Sequence, residues 1–141
     1  MKLCLLVVSA VLAAHAVAQR INIGAPVNGS SVKAGSKMTV EVDLPDTLTG
    51  TLEVAIVIAF LNCNSYPCPS PMDRLGTILY NGSYHPQFHN VSGFKPPHQN
   101  FTVRVPRGAF GRAQLSVVHF SLVGAGPFPF LETQNVTVLV K

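Results

Sequence analysis

Hydrophobic and polar residues alternate along most of this chain with the two-residue period that is typical of β-strands. Residues 21–25 predict the first strand, and residues 26–35 are interpreted as turns. Met38, Val40 and Val42 alternate with polar residues, which predicts a strand with one buried face. Residues 52–61 are apolar on both faces, which indicates a central strand, and their β-branched content favours strand over helix. Residues 75–80 predict a shorter strand, which ends at the hairpin-turn signal Asn-Gly.

The second half of the chain continues this pattern. Residues 101–105 predict a strand that ends at Pro106, and residues 113–123 predict a long apolar strand. Residues 124–130 are rich in Gly and Pro and are interpreted as a loop, and alternating valines over residues 136–140 predict the last strand. No segment has a sustained helical period. The chain is therefore predicted to be all-β, with about seven strands in a single antiparallel β-sandwich of immunoglobulin-like type.

Residues 1–18 have the layout of a secretory signal peptide. A short basic start precedes an apolar run over residues 3–14, and residues 16–18 have the small-x-small pattern of a cleavage site. The apolar run is shorter than the roughly 20 residues that a membrane-spanning helix needs. We therefore expect cleavage before Gln19, one domain over residues 19–141, secretion, and no membrane insertion.

Charge and glycosylation signals refine this expectation. The formal net charge is +4, or +3 once Lys2 leaves with the signal, and no basic block is present, so nucleic acid is not an expected partner. Asn-x-Ser/Thr triplets predict a glycoprotein whose acceptor asparagines lie on the surface. These acceptors are Asn28, Asn81, Asn90, Asn100 and Asn135.

Two cysteines remain after removal of the signal, which takes Cys4 with it. In an oxidising compartment, Cys63 and Cys68 are expected to form a disulfide that closes a small loop. The alternatives are a redox pair or a metal site, but the spacing fits neither Cys-x-x-Cys nor a four-ligand zinc site. So short a loop is expected to contribute only about 2 kcal/mol to the free energy of unfolding.

The sequence contains no recognisable set of catalytic residues. There is no Gly-x-Ser-x-Gly elbow for a nucleophile, and Glu53 is predicted to alternate outward into solvent like most of the acidic residues. His119, in the middle of a strand, is interpreted as a hydrogen-bonded structural residue. The other three histidines of the predicted mature chain fall in one loop, where a metal is the alternative to exposure to water, but no carboxylate or thiolate accompanies them. We expect no enzymatic activity, no metal and no cofactor; the three loop histidines are His85, His89 and His98.

Two aromatic pairs are candidate contact points. Tyr80 and Tyr84 flank a turn and are a candidate platform for a sugar. Phe128 and Phe130 are the better candidate for an apolar contact with a partner, and the alternative is that they fold over one end of the sandwich. The pattern as a whole is that of a binding protein.

Five collinear segments together resemble the small fungal necrosis-inducing secreted effectors that suppress plant pattern-triggered immunity. The resemblance covers nearly all of the mature chain and implies a secreted β-sandwich without enzymatic activity, which acts in the host apoplast or the host cytoplasm. It also implies a partner among the plant's receptor-associated immune kinases. The segments are residues 23–35 (IGAPVNGSSVKAG), 52–60 (LEVAIVIAF), 75–84 (LGTILYNGSY), 100–106 (NFTVRVP) and 113–125 (AQLSVVHFSLVGA).

A second resemblance is confined to residues 26–35, which are similar to the N-terminal domains of fungal glucan-assembly proteins. It implies a wall-associated glycoprotein that binds a cell-wall polysaccharide such as glucan or chitin. The Ser/Thr-rich anchored stalk that usually follows such domains is missing from this sequence.

Overall fold

A computed structural model describes residues 20–47, 49–64, 67–89 and 93–141. The predicted signal peptide and the sequon at Asn90 lie outside these residues. The described residues contain no helix, and therefore none that could cross a membrane. They form eight strands: β1 (Asn22–Ala25), β2 (Ser30–Val32), β3 (Lys37–Asp43), β4 (Thr51–Asn62), β5 (Thr77–Gly82), β6 (His98–Arg104), β7 (Gly111–Val123) and β8 (Phe128–Val140).

The strands form two sheets, one of three strands in the order β1-β3-β6 and one of five in the order β2-β8-β7-β4-β5. The all-β prediction is confirmed, with eight strands where about seven were predicted, and the antiparallel arrangement holds for every described strand pair except one. The additional strand is β2, which pairs parallel to β8 with Ser31 opposite Leu139. Its three residues, Ser-Ser-Val, lie in a segment interpreted as turns because it is too short and polar to show an alternating pattern.

The two sheets pack face to face around one core. β3 and β6 contribute alternate residues from the smaller sheet, and β4, β7 and β8 contribute alternate residues from the larger one. This burial of every second residue is what the two-residue period predicts. The fully buried core residues include Val40, Val42, Ile56, Ile58, Leu115, Val117 and Val138.

The predicted loop over residues 124–130 is shorter than expected, because β8 begins at Phe128. Pro129 lies inside β8, opposite Leu122 of β7. A proline is tolerated in a strand only where its missing N–H is not needed. Since β2 pairs only with the last three residues of β8, Pro129 lies on a part of β8 that has a single neighbouring strand.

The Cys63–Cys68 disulfide is confirmed, with an S–S distance of 2.01 Å. The segment that carries it, which we call the disulfide loop, follows β4 and leads to β5, and its Pro69, directly after Cys68, lies against the outer face of the five-stranded sheet. The side-chain amide of Gln114 donates a hydrogen bond to the Pro69 carbonyl at 3.0 Å, and Ser116 beside it is fully buried although it belongs to the outer face. The disulfide loop therefore contacts this face at Gln114, and the face is buried at that end.

Candidate functional site

The other half of the same face is apolar and is partly exposed in the part of the chain that the structure describes. Strand register sets two cross-strand rows there, and we call them the apolar rows. Within them Leu131 is 54% exposed and Phe120 is half-buried. The rows are Ala55–Phe120–Leu131 and Val57–Val118–Thr133, and neither contains a charged residue.

The end of the β7–β8 hairpin forms a second apolar surface, the hairpin tip. An open cleft of about 700 Å³ lies beside the turn and has no charged lining residue. Leu52 is 63% exposed at its side, and Phe128 is 65% exposed at the start of β8. The hairpin tip comprises five residues that line the cleft and also Phe128, which does not line it and lies on the side of β8 that carries Phe130; the five are Leu52, Leu122, Gly124, Ala125 and Pro127.

The two phenylalanines predicted as a contact point have different environments. Phe128 is exposed at the hairpin tip, whereas Phe130 is half-buried. Phe130 pairs with Ser121, whose side chain is buried, so Phe130 belongs to the row that faces the other sheet. Phe128 is the one whose ring is available to a partner.

A buried cluster of ionisable groups lies between the sheets. The His119 imidazole is 1% exposed, and its Nδ1 lies 2.9 Å from the Glu132 carboxylate. Its Nε2 contacts the Glu53 carboxylate from the other side. Glu132 also accepts a hydrogen bond from the Ile21 backbone N–H at 3.1 Å. The cluster thus joins β4, β7, β8 and the residue that precedes β1.

The carboxylates keep the imidazole charged. Burial alone would lower the pKa of His119, but hydrogen bonds to Glu132 and Glu53 outweigh burial and raise the pKa to about 9. Burial would likewise raise the pKa of Glu53, and hydrogen bonds from His119 and Thr51 outweigh it and lower the pKa. A buried imidazolium between two carboxylates holds strands together, and this agrees with the structural role expected of His119.

The prediction that Glu53 points into solvent was wrong. The register of β4 against β7 shifts between Glu53 and Ala55, which is a β-bulge. The extra residue reverses the alternation, so Glu53 joins the inward row of Ile56 instead of the outward row. Sequence reasoning missed Glu132 as a partner of His119, although counting back from a turn over residues 124–127 places it directly opposite.

The tyrosine platform predicted for a sugar does not form. Tyr84 is fully buried, its hydroxyl donates a hydrogen bond to the Val42 carbonyl at 3.1 Å, and its ring stands edge-on to His119 at 5.3 Å between centroids. Burial, with smaller effects from Glu53 and Asp43, raises the pKa of Tyr84. Tyr80 packs its ring against Phe101 at 4.8 Å, on the inner side of its sheet.

The three loop histidines line one shallow polar cleft. His98 is in fact in β6 and is buried, and its Nδ1 lies 3.0 Å from the Pro96 carbonyl. The His89 ring packs on that of His98 with centroids 4.4 Å apart, while His85 is exposed. Across residues 20–47, 49–64, 67–89 and 93–141, no three His, Cys, Asp or Glu side chains are placed to hold a metal ion.

Four of the five predicted acceptor asparagines are described, and all four are exposed. Asn81 lies opposite Val57 and Asn135 opposite Ser116, both on the outer face of the five-stranded sheet. Asn100 lies in β6 of the other sheet. Asn28 lies in the turn before β2 and accepts a hydrogen bond from the Thr137 N–H at 2.8 Å.

These features define a small all-β protein of two packed sheets. Residues 16–139 match the Nis1 family, and the chain belongs to that family. A comparison with curated proteins finds no match. Among solved structures, the chain is similar to a single-substitution variant of a superoxide reductase (neelaredoxin) from Ignicoccus hospitalis, with 16% identity, a TM-score of 0.47, and 85% of this chain and 80% of that chain covered. A superoxide reductase (neelaredoxin) from the same organism, without the substitution, gives 14% identity, a TM-score of 0.45, and coverage of 84% and 79%.

Proposed function

We propose that this protein is a secreted fungal effector that suppresses plant pattern-triggered immunity by binding a receptor-associated immune kinase. The observation that carries the proposal is the hairpin tip, where Leu52 is exposed in an open cleft without charged lining and Phe128 is exposed next to Pro127 of that cleft. Exposed apolar patches on small domains mark sites of protein contact, and aromatic residues are favoured anchors there. The tip is the surface that would meet the kinase.

The placement of the ionisable groups supports binding rather than catalysis. Glu53, His119 and Glu132 form the most compact acid–base group described, and all three lie between the sheets and contact one another. A general acid or base must reach a substrate. In this proposal the cluster stiffens the scaffold that presents the tip, and the protein is not an enzyme.

The resemblance to necrosis-inducing effectors gives the proposal its host and its partner. The segments that carry it overlap β1, β2, β4, β5, β6 and β7 and therefore form most of the framework, and two of them also supply Leu52, Leu122, Gly124 and Ala125 of the hairpin tip. The Cys63–Cys68 disulfide is compatible with the oxidising route of a secreted protein. We place the site of action in the host apoplast or the host cytoplasm.

We further propose that the two sheets have the immunoglobulin-like arrangement. The strand order supports this, since a sheet of three strands faces a larger sheet and β1 and β2 follow one another in different sheets. Amide–amide contacts measured by NMR should appear between β2 and β8 in parallel register, around Ser31 and Leu139. An antiparallel set of contacts there would refute this arrangement.

A pull-down tests the partner. The secreted protein, immobilised, should recover a receptor-associated kinase from plant membrane extract and should not be retained by insoluble glucan or chitin. Retention on either polysaccharide, with no kinase recovered, would instead favour the wall-glycoprotein alternative. That alternative has less support, because Tyr80 and Tyr84 form no exposed platform.

A further inference from the structure

Among the described residues, the outer face of the five-stranded sheet is fully buried near one end only. The disulfide loop contacts Gln114 there, and Ser116 is also buried. The apolar rows in the middle are partly exposed, and Leu131 is more than half exposed. A sheet face that meets water normally carries polar residues, and these two rows contain only one, Thr133.

Two glycan acceptors stand at the border of these rows. Asn81 extends the row of Val57 and Val118 across β5, so its side chain is about 5 Å from that of Val57. Asn135 lies two residues beyond Thr133 on the same face of β8, which is about 7 Å along the strand, and four residues beyond Leu131, which is about 13 Å. Both asparagines are exposed.

We propose that the N-linked glycans of Asn81 and Asn135 lie against the apolar rows and shield them from water. An N-glycan is bulky and solubilising, and its first sugars start beside Val57 at Asn81. At Asn135 the side-chain nitrogen that would carry the glycan donates a hydrogen bond to the Gln114 side chain at 3.3 Å, so from there the sugars have to extend back along β8 to reach Thr133. This inference rests on the secreted part of the proposed function, because the sugars are added in the secretory route.

The positions of the acceptors favour this occupant over a second copy of the chain. A second copy would have to lie flat on the rows, and glycans at both borders would separate the two faces. The hairpin tip is beyond the rows, at the end of the hairpin, and remains open to a partner. In this proposal the outer face carries the disulfide loop at one end, the two glycans over the apolar rows, and the hairpin tip at the other end.

Each glycosylation sequon can be removed by substituting its third residue, which leaves the acceptor asparagine in place. Ser83→Ala removes the signal at Asn81, and Thr137→Ala removes that at Asn135. Thr102→Ala removes the signal at Asn100 in the other sheet and is the matched control. The double variant and the control are secreted from a eukaryotic host beside the wild type, and site occupancy is read by mass spectrometry.

The readout is hydroxyl-radical labelling of Phe120 and Leu131. The double variant should be labelled about threefold more than the wild type at both residues, whereas the Thr102→Ala variant should be unchanged. Enzymatic trimming of the glycans on purified wild-type protein should raise the labelling in the same way. This second measurement tests the inference if the double variant is not secreted. Equal labelling after trimming, or unoccupied sites in the secreted wild type, would overturn the inference.

Two further outcomes are informative. Low labelling in the trimmed protein together with a dimer in solution would assign the rows to a second copy and refute the glycan shield. Suppression of the plant immune response is measured separately on the same samples. If labelling shows no glycan shield while the protein still suppresses the response, the glycan inference is refuted and the proposed function stands. If the shield is found but the response is not suppressed, the proposed function is refuted and the glycan inference stands.

Discussion

At the scale of single residues, His119 has the largest consequence for the fold. One imidazolium contacts two carboxylates that would otherwise lie buried without a cation, and it offsets one of their two charges while its own exposure is 1%. Removing one member of a buried ion pair costs far more than an exposed pair contributes, because the remaining charge is left uncompensated. Tyr84, whose ring stands edge-on to this imidazole, closes the cluster on one side.

His119→Gln should therefore lower the free energy of unfolding by about 3–5 kcal/mol. Urea unfolding at pH 6 measures the change, and His85→Gln, at an exposed loop histidine, is the control. A loss in the His119 variant no larger than that in the control would show that the cluster does not hold the strands together.

The same cluster predicts how stability varies with pH. The folded-state pKa of His119 is raised from 6.5 to about 9, so its contribution is complete below pH 6.5 and is lost as the pH rises toward 9. The folded-state pKa of Glu53 is lowered from 4.5, so its contribution is present above pH 4.5 and is lost as the pH falls further. The cluster therefore contributes its full stabilisation between pH 4.5 and pH 6.5.

The gap in stability between wild type and the His119→Gln variant should therefore narrow steadily as the pH rises from 6.5 to 9. Thermal unfolding of both proteins across that range gives the gap directly. A gap that stays constant or widens would mean that the imidazole is not charged in the folded protein.

At the scale of elements, alternation in the sequence predicted most strands but not their ends or irregularities. β3, β4, β6 and β7 follow from the two-residue period, and the disulfide follows from cysteine count and compartment. The position of Glu53 could not be predicted, because the β-bulge before Ala55 depends on how β4 pairs with β7. The start of β8 was missed because a proline such as Pro129 normally indicates a break in a strand. It is compatible with a strand here because this part of β8 pairs with β7 alone, which the sequence does not reveal.

The disulfide loop gives the prediction that belongs to this scale. Replacement of Cys63 and Cys68 by Ser should lower the free energy of unfolding by about 2 kcal/mol. Hydrogen exchange should accelerate in the loop after Cys68 and at Gln114, whose side chain it covers, while Leu115 in the core of β7 keeps its protection relative to the wild type. Faster exchange throughout β7 would show that the disulfide supports the core and not merely the loop.

At the scale of the whole molecule, the ionisable cluster and the contact surface are separated. The cluster lies between the sheets and ties β4, β7 and β8 together, and the same β7–β8 pair carries the hairpin tip at its end. The tip thus lies at the end of the two strands that the ionisable cluster holds together. A rigid apolar anchor costs little conformational entropy on binding, which suits a small effector that must engage a host protein.

Phe110 offers a matched control for the tip. It is 66% exposed, almost the same as Phe128 at 65%, but it precedes β7 at the opposite end of that strand from the tip. Replacement of either by Ala removes a similar exposed ring, so both variants should fold like the wild type. Only the Phe128 variant removes the anchor that the proposed function assigns to the partner.

The most direct test of the central claim is the oxidative burst that a microbial pattern triggers in plant tissue expressing the protein. The wild type and the Phe110→Ala variant should suppress the burst, and the Phe128→Ala variant should need about tenfold more protein for the same suppression, as expected for the loss of one anchor worth about 1–3 kcal/mol. A burst that the wild type leaves unaltered would contradict the effector role, and equal potency of the two variants would contradict the hairpin tip as its contact surface.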